Sequence, residues 1–365
     1  MSWQQVRGHD RQFEWFKQQY ANERLGSSFL FIGPTGIGKR TFALKLAQAL
    51  LCENPSHGAL IPCQECSGCQ QVVALTHPDL LTVARLKGKS GVLISQMVGD
   101  EKHRTREGLC YEISLKPYCG GKRVAIIDDA DEMTGEAAAA LLKTLEEPPP
   151  DSIIILISTN RQKQLPTIRS RCQIIRFSPL SLGDLSELLV ELGLAQDSQQ
   201  AQQLAAIGNG SVERVKSFVG SGILEFRNEF FFKLASPRTL LTELTSLVNQ
   251  CVDEAAEDLP TDQKAKAKRQ RMRVVIELAT EFFRQLVREL VDAPSEEDQQ
   301  FAKAIDLAVR KWPGDVETAL ACLDCCLEAD VYVQQNANQK TLVESWLDRL
   351  QTLSRIEDSM SLPLS

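Results

Sequence analysis

The stretch SFLFIGPTGIGKRTFALKLAQALL, residues 28–51, reads as strand, glycine loop and helix in direct succession. Residues 28–32 are a short apolar run, and from Thr41 to Leu51 the apolar residues Phe42, Leu46 and Leu50 return at helical spacing. Between them Gly33-Pro34-Thr35-Gly36-Ile37-Gly38-Lys39 fills the first seven positions of the phosphate-loop pattern G-x-x-x-x-G-K-[ST]. In such a loop Gly33, Gly36 and Gly38 let backbone N–H groups, Thr35 among them, converge on phosphate. The helix N-terminus adds its dipole, and Lys39 reaches the β- and γ-phosphates.

The eighth position breaks the pattern, because Arg40 stands where a Ser or Thr hydroxyl would ligate Mg²⁺. A guanidinium repels the metal, and Thr41 comes one residue late, on another side of the helix. The acidic partner of the loop shows the same weakness. Val124-Ala125-Ile126-Ile127 ends in Asp128, a strand-end carboxylate for Mg²⁺, but Asp129 follows where motor ATPases carry Glu. One methylene shorter, Asp129 places a water poorly. Two readings stay open here: a nucleotide site of low hydrolytic competence, or a loop kept for its shape.

Working outward, Asp79–Val83, Arg123–Ile127, Ile153–Ser158 and Gln173–Phe177 are β-branched and apolar on both faces, as strands buried in a parallel sheet are. Helical segments such as Glu136–Glu146 lie between them. Residues 1–178 are therefore expected to form a three-layer α/β domain with its functional edge at the strand C-termini. Beyond Pro179 only helical periodicity remains, with hinges expected at residues 208–211 and 219–222. This divides the rest into a small helical lid, 179–220, and an all-α C-terminal domain, 221–365. Residues 86–106 read as a polar loop.

The 365 residues suffice for two or three domains. Composition is that of an ordinary globular protein, with 43% hydrophobic and 24% charged residues, which excludes disordered and fibrous classes. A net charge of −7 excludes a surface that binds polyanions indiscriminately, so any nucleic-acid contact must be local. No stretch approaches a membrane span and the first ten residues lack the apolar run of a signal peptide, so a cytoplasmic location is expected.

Of the 11 cysteines, Cys52, Cys63, Cys66 and Cys69 are spaced C-x10-C-x2-C-x2-C. In a reducing compartment four clustered thiols point to metal, and four thiolates suit a closed, structural tetrahedral Zn²⁺ site with no open position for catalysis. Unliganded thiols are the competing reading. Cys322, Cys325 and Cys326 lie in a helical stretch and read as small core residues. The basic run Lys264, Lys266, Lys268, Arg269, Arg271 and Arg273 follows an acidic one and reads first as a solvated helix face, with DNA backbone contact as the rival.

The motifs also carry a family signature. After the phosphate loop and the four cysteines come His77-Pro78-Asp79, Leu115-Lys116-Pro117 and Ile126-Ile127-Asp128-Asp129-Ala130-Asp131, then LLKTLEEPP at 141–149 and LPTIRSRC at 165–172. In this order they closely resemble the bacterial clamp-loader subunits of DNA polymerase III, which are AAA+ proteins. The match is dense over about residues 25–180 and weak beyond. Arg40 and the missing Glu resemble the delta prime, or stator, type more than the gamma/tau motors. The resemblance implies that Arg171 is an arginine finger acting in trans on a neighbouring motor ATPase, that Thr159 stands at the sensor 1 position, and that Arg214 stands at sensor 2. It also implies a C-terminal collar for oligomerisation, and as partners gamma/tau and delta subunits, the sliding clamp and primer-template DNA. ATP with Mg²⁺ would bind weakly or without hydrolysis. The alternative is an active clamp-loader motor in which Lys39 and Asp128 suffice. A stand-alone zinc enzyme is disfavoured, since four cysteines fill the metal's coordination sphere.

Overall fold

Each strand of the first unit alternates its side chains between two apolar layers, and this period of two builds the domain. In the computed structural model, which describes residues 3, 6–54, 60–86, 91–100, 106–217, 222–236, 240–257, 259–293, 299–312, 314–335 and 337–355, the strands are β1 Ser28–Ile32, β2 Leu80–Val83, β3 Arg123–Ile127, β4 Ser152–Ser158 and β5 Gln173–Arg176. They form one parallel sheet in the order β2-β3-β4-β1-β5. Its register sets Leu30 beside Leu156 and Ile174, and Ala125 beside Ile154. β3 and β4 are buried along their whole length, which is why they read as unbroken apolar runs.

Phe29, Phe31, Val124, Ile126, Ile153 and Ile155 point into one layer, where Phe16 of α1 (Asp10–Ala21) and Phe42 and Leu46 of α2 (Lys39–Leu50) meet them. Leu30, Ala125, Ile127, Ile154 and Leu156 point into the other, against α4 (Ile94–Val98), α5 (Leu109–Glu112), α6 (Gly135–Glu146) and α7 (Pro166–Arg169). α3 (Ser67–Val73) follows the cysteine segment, and α8 (Leu182–Glu191) follows β5.

Residues 86–106 depart from the expected loop. Val92 and Met97 are fully buried, Met97 on α4 itself, because VLISQMV (92–98) carries enough apolar surface to fold onto α6. Residues 87–90 and 101–105 of this segment, like 218–221 of the second expected hinge, lie outside the described residues.

The chain separates into two compact units, Met1–Leu192 with Gly208–Arg214, and Gly193–Ile207 with Val215–Ser365. α9 (Ser198–Gly208) falls almost wholly in the second, and α10 (Val212–Lys216) bridges the division. The second unit is otherwise α11 (Ile223–Leu234), α12 (Leu241–Glu254), α13 (Thr261–Leu290), α14 (Gln299–Lys311), α15 (Val316–Gln334) and α16 (Gln339–Arg355), packed around Phe230, Phe231, Phe282 and Phe301. Arg227, 1% exposed, lays its guanidinium 4.8 Å from the Phe231 ring centre and 5.1 Å from that of Phe301, a cation–π arrangement. Cys322, Cys325 and Cys326 are buried core residues, and burial pushes the Cys322 thiol up to about 12. Among the described residues no helix is long and apolar enough to cross a membrane.

Candidate nucleotide site and metal centre

The phosphate loop leaves β1 at the C-terminal edge of the sheet, where the ends of β3 and β4 bring Asp128 and Thr159. Three contacts set its shape. Gly33 must be glycine, since a Cβ there would lie 2.3 Å from the Phe177 carbonyl oxygen. Gly36 has φ +74 and its carbonyl accepts the Val212 N–H at 3.0 Å; a Cβ on it would meet the Ser211 hydroxyl at 2.3 Å. The Ile37 carbonyl lies 2.7 Å from Nε2 of His9, a buried residue that the sequence reading passed over. Burial holds the His9 imidazole below its usual pKa, so the neutral ring donates Nε2–H to that carbonyl.

Lys39, 5% exposed, turns back onto the loop: its Nζ donates to the carbonyls of Gly33 at 2.6 Å and Pro34 at 2.5 Å. Burial lowers its pKa, and Asp128, Asp131 and Glu213 oppose that shift. Arg40 reaches across to β3, where Nη1 donates to Asp128 Oδ2 at 2.9 Å. The carboxylate expected to serve Mg²⁺ therefore serves a guanidinium supplied by the loop itself. Thr35 and Thr41 are exposed, Thr41 on the outward side of α2 as its position predicts.

Asp129 adopts the left-handed conformation, φ +51, and burial beside Asp128 raises its pKa. Thr159 gives its hydroxyl to Asp131 Oδ2 at 2.5 Å, and its N–H is 3.2 Å from the same oxygen. Asp131, unassigned from the sequence, is thus the partner of Thr159, the residue that the resemblance sets at sensor 1. Arg214 is half-buried on α10, its N–H on the Ser211 hydroxyl at 3.2 Å. Arg171 follows α7 and precedes β5, with Nη2 2.5 Å from Glu146 at the end of α6.

Cys52 ends the turn after α2, Cys63 and Cys66 lie in the following loop, and Cys69 is on α3. Their sulfurs all lie within 4.8 Å of one another, with Cys52–Cys66 and Cys63–Cys69 both at 3.9 Å. Sulfurs at about 2.3 Å from a tetrahedral zinc stand about 3.8 Å apart, so the four fit that ion. Backbone N–H groups of Cys63, Cys66 and Cys69 point at the sulfurs of Cys52, Cys63 and Cys66 at 3.3–3.4 Å, the pattern that stabilises thiolates. Such N–H donors, from Cys66 and Glu65, pull the Cys63 thiol down to about 6, whereas burial pushes that of Cys69 up.

Next to this centre Asp79, 0% exposed, accepts the N–H groups of Tyr118 at 2.7 Å and Cys119 at 2.8 Å, with Arg123 Nε 3.6 Å away. His77 Nδ1 accepts the Asp79 N–H at 3.0 Å. These contacts explain His77-Pro78-Asp79 as structure that ties the loop before β3 to the start of β2.

Two cations of the basic run on α13 are matched across helices. Lys268 pairs with Asp253 of α12 at 2.6 Å and Arg273 with Asp330 of α15 at 3.1 Å. Both pairs join one helix to another, which contacts along α13 alone would not.

Residues 8–181 match the family model described as "DNA polymerase III, delta subunit". The chain is 33% identical over 201 residues to the delta prime subunit of DNA polymerase III from Pseudomonas aeruginosa, covering 55% of this chain and 58% of that one. To the delta prime subunit of Bacillus subtilis it is 32% identical over 194 residues, covering 53% and 54%. The chain thus spans somewhat over half the length of these curated relatives. A solved DNA polymerase III gamma subunit-related protein from Thermotoga maritima is 17% identical, with a TM-score of 0.42 over 94% of this chain and all of that one. Residues 8–181, which carry the phosphate loop, the cysteine cluster and Arg171, are thus the part of the chain that matches the DNA polymerase III delta-subunit family.

Proposed function

We propose that this chain is the delta prime stator of a DNA polymerase III clamp loader. In this reading it assembles with gamma/tau motors and delta, helps load the sliding clamp onto primer-template DNA in the cytoplasm, and is built as α/β domain 1–178, lid 179–220 and collar 221–365. The observation that carries the reading is the Arg40–Asp128 pair. Productive hydrolysis needs Mg²⁺ bridging the β- and γ-phosphates, held by a loop hydroxyl and this carboxylate. Here the hydroxyl is replaced and the carboxylate engaged by the replacement. The rival motor reading keeps Lys39, but Lys39 binds carbonyls of its own loop.

The chain's contribution to ATP turnover is then made outside its own pocket. Arg171 precedes β5, which runs parallel to β1, and so stands at the opposite edge of the sheet from this chain's own phosphate loop; it is the finger toward a neighbouring motor. A fixed guanidinium offsets the charge that builds on the transferring phosphoryl group, worth about 10³–10⁵ in rate when supplied in trans. The four cysteines would hold a structural zinc that braces the end of α2 and the start of α3. The test is ATP turnover by a loader reconstituted with clamp and primed DNA, assembly being verified for each variant. K39A should leave turnover unchanged and R171A should depress it. A fall in K39A by the share of one active site would instead make the chain a motor.

A further inference from the structure

Glu146 and Arg171 are 25 residues apart, yet the end of α6 and the turn after α7 bring them together. One arm of the guanidinium, Nη2, is 2.5 Å from Glu146 Oε1. The other, Nη1, donates to the Thr167 carbonyl at 3.0 Å and the Ser170 hydroxyl at 3.3 Å. Nε is buried and makes no hydrogen bond. Both nitrogens that an arginine would turn toward a phosphate are already engaged inside this chain.

We propose that Glu146 is the positioning residue of Arg171: a carboxylate that holds the guanidinium between α6 and α7 in the free subunit and is exchanged for the terminal phosphate of a nucleotide bound by a neighbouring subunit. The inference rests on the finger reading above and adds the contact that keeps the finger in reserve.

The exchange is favoured by charge and by exposure. A terminal phosphoryl group offers more negative charge and more acceptor oxygens than one carboxylate. The Arg171 and Glu146 side chains are 32% and 49% exposed, and an ion pair so open to water biases an equilibrium by no more than about fivefold. Such a contact orients the arginine without competing seriously against a phosphate whose stabilisation changes a rate by about 10³–10⁵. The Thr167 and Ser170 contacts come from the same short segment and keep the side chain aligned once Glu146 lets go.

The test has two parts that fail separately. In the isolated full-length chain, the rate at which phenylglyoxal modifies Arg171, read by peptide mass spectrometry at low salt, should rise about three- to fivefold in E146Q. That difference should shrink as salt screens the pair in the wild type. Equal rates at low salt overturn the inference whatever the finger does. In the assembled loader, E146Q should raise ATP turnover at subsaturating ATP by up to about fivefold, and the gain should vanish when Arg171 is also alanine. A fall in turnover in E146Q overturns the exchange. Unchanged turnover in R171A alone withdraws the finger reading on which the exchange depends, and leaves the modification result standing as a fact about the pair.

Discussion

Arg40 and Asp128, 88 positions apart in the chain, form an ion pair of 2.9 Å across the mouth of the phosphate loop. The pair joins the two positions at which a hydrolysing loop would hold its metal. Replacing Arg40 by Thr restores a hydroxyl, frees the carboxylate and removes the cation. Nucleotide binding by R40T should therefore become Mg²⁺-dependent and tighten by roughly tenfold, about 1.4 kcal/mol. Titration calorimetry with and without Mg²⁺ checks this, and affinities that do not respond to the metal in either protein would refute it.

The cysteine geometry predicts one zinc per chain. Metal analysis of protein purified without added zinc should give a ratio near one, and Cys66→Ser should lose it. Because a closed structural site is coupled to folding, its loss should lower the midpoint of thermal unfolding by about 5–10 °C. A variant that loses zinc at unchanged midpoint would show the centre to be decorative.

Asp79 carries three obligations at once: two loop N–H groups and the buried Arg123. Asp79→Ala leaves the two N–H groups without their acceptor and Arg123 without its ion-pair partner, and breaking a buried charged contact of this kind costs about 3–5 kcal/mol. Denaturant unfolding should show a lower midpoint at unchanged slope. A shift below about 1 kcal/mol would mean that water replaces the carboxylate.

Stability should also fall in mild acid. Burial lowers the pKa of both His9 and His77 in the folded state, so below the ordinary value of about 6.5 the unfolded chain binds more protons than the folded one. Stability contributed by these neutral rings is present above pH 6.5 and is lost as pH drops toward their folded pKa values. For His77 the cause is concrete, since protonating Nδ1 removes the acceptor of the Asp79 N–H. Urea midpoints between pH 8 and pH 5 measure this, and His77→Asn, which keeps an acceptor that does not titrate, should flatten the curve.

The strands and the loop were legible because burial on both faces and glycine punctuation are local signals. Ile153–Ile157 could hardly be anything but a central strand, and residues 33–39 fold as their spacing demands. What escaped reading was tertiary. α4 is only five residues long, too short to show a period, and is held by Val92 and Met97 packing under α6. His9 precedes the loop by a whole helix and a strand, yet supports the Ile37 carbonyl. That Arg40 is an unsuitable neighbour for Mg²⁺ could be read from its chemistry, but its partner could not. Lys268 and Arg273 of α13 find their acids on two other helices, which no spacing along one helix reveals.

The Gly36 carbonyl bound to Val212, the Ile37 carbonyl bound to His9 and the Gly33 backbone pressed on Phe177 give the phosphate loop a second employment as a joint of the domain. A motif so built in is held by folding whether or not a nucleotide binds, because a side chain at Gly33 or Gly36 would collide with its neighbours. Its presence in a sequence is a report on architecture. In the stator reading, hydrolysis there is decided one residue later, at Arg40, which pairs with Asp128.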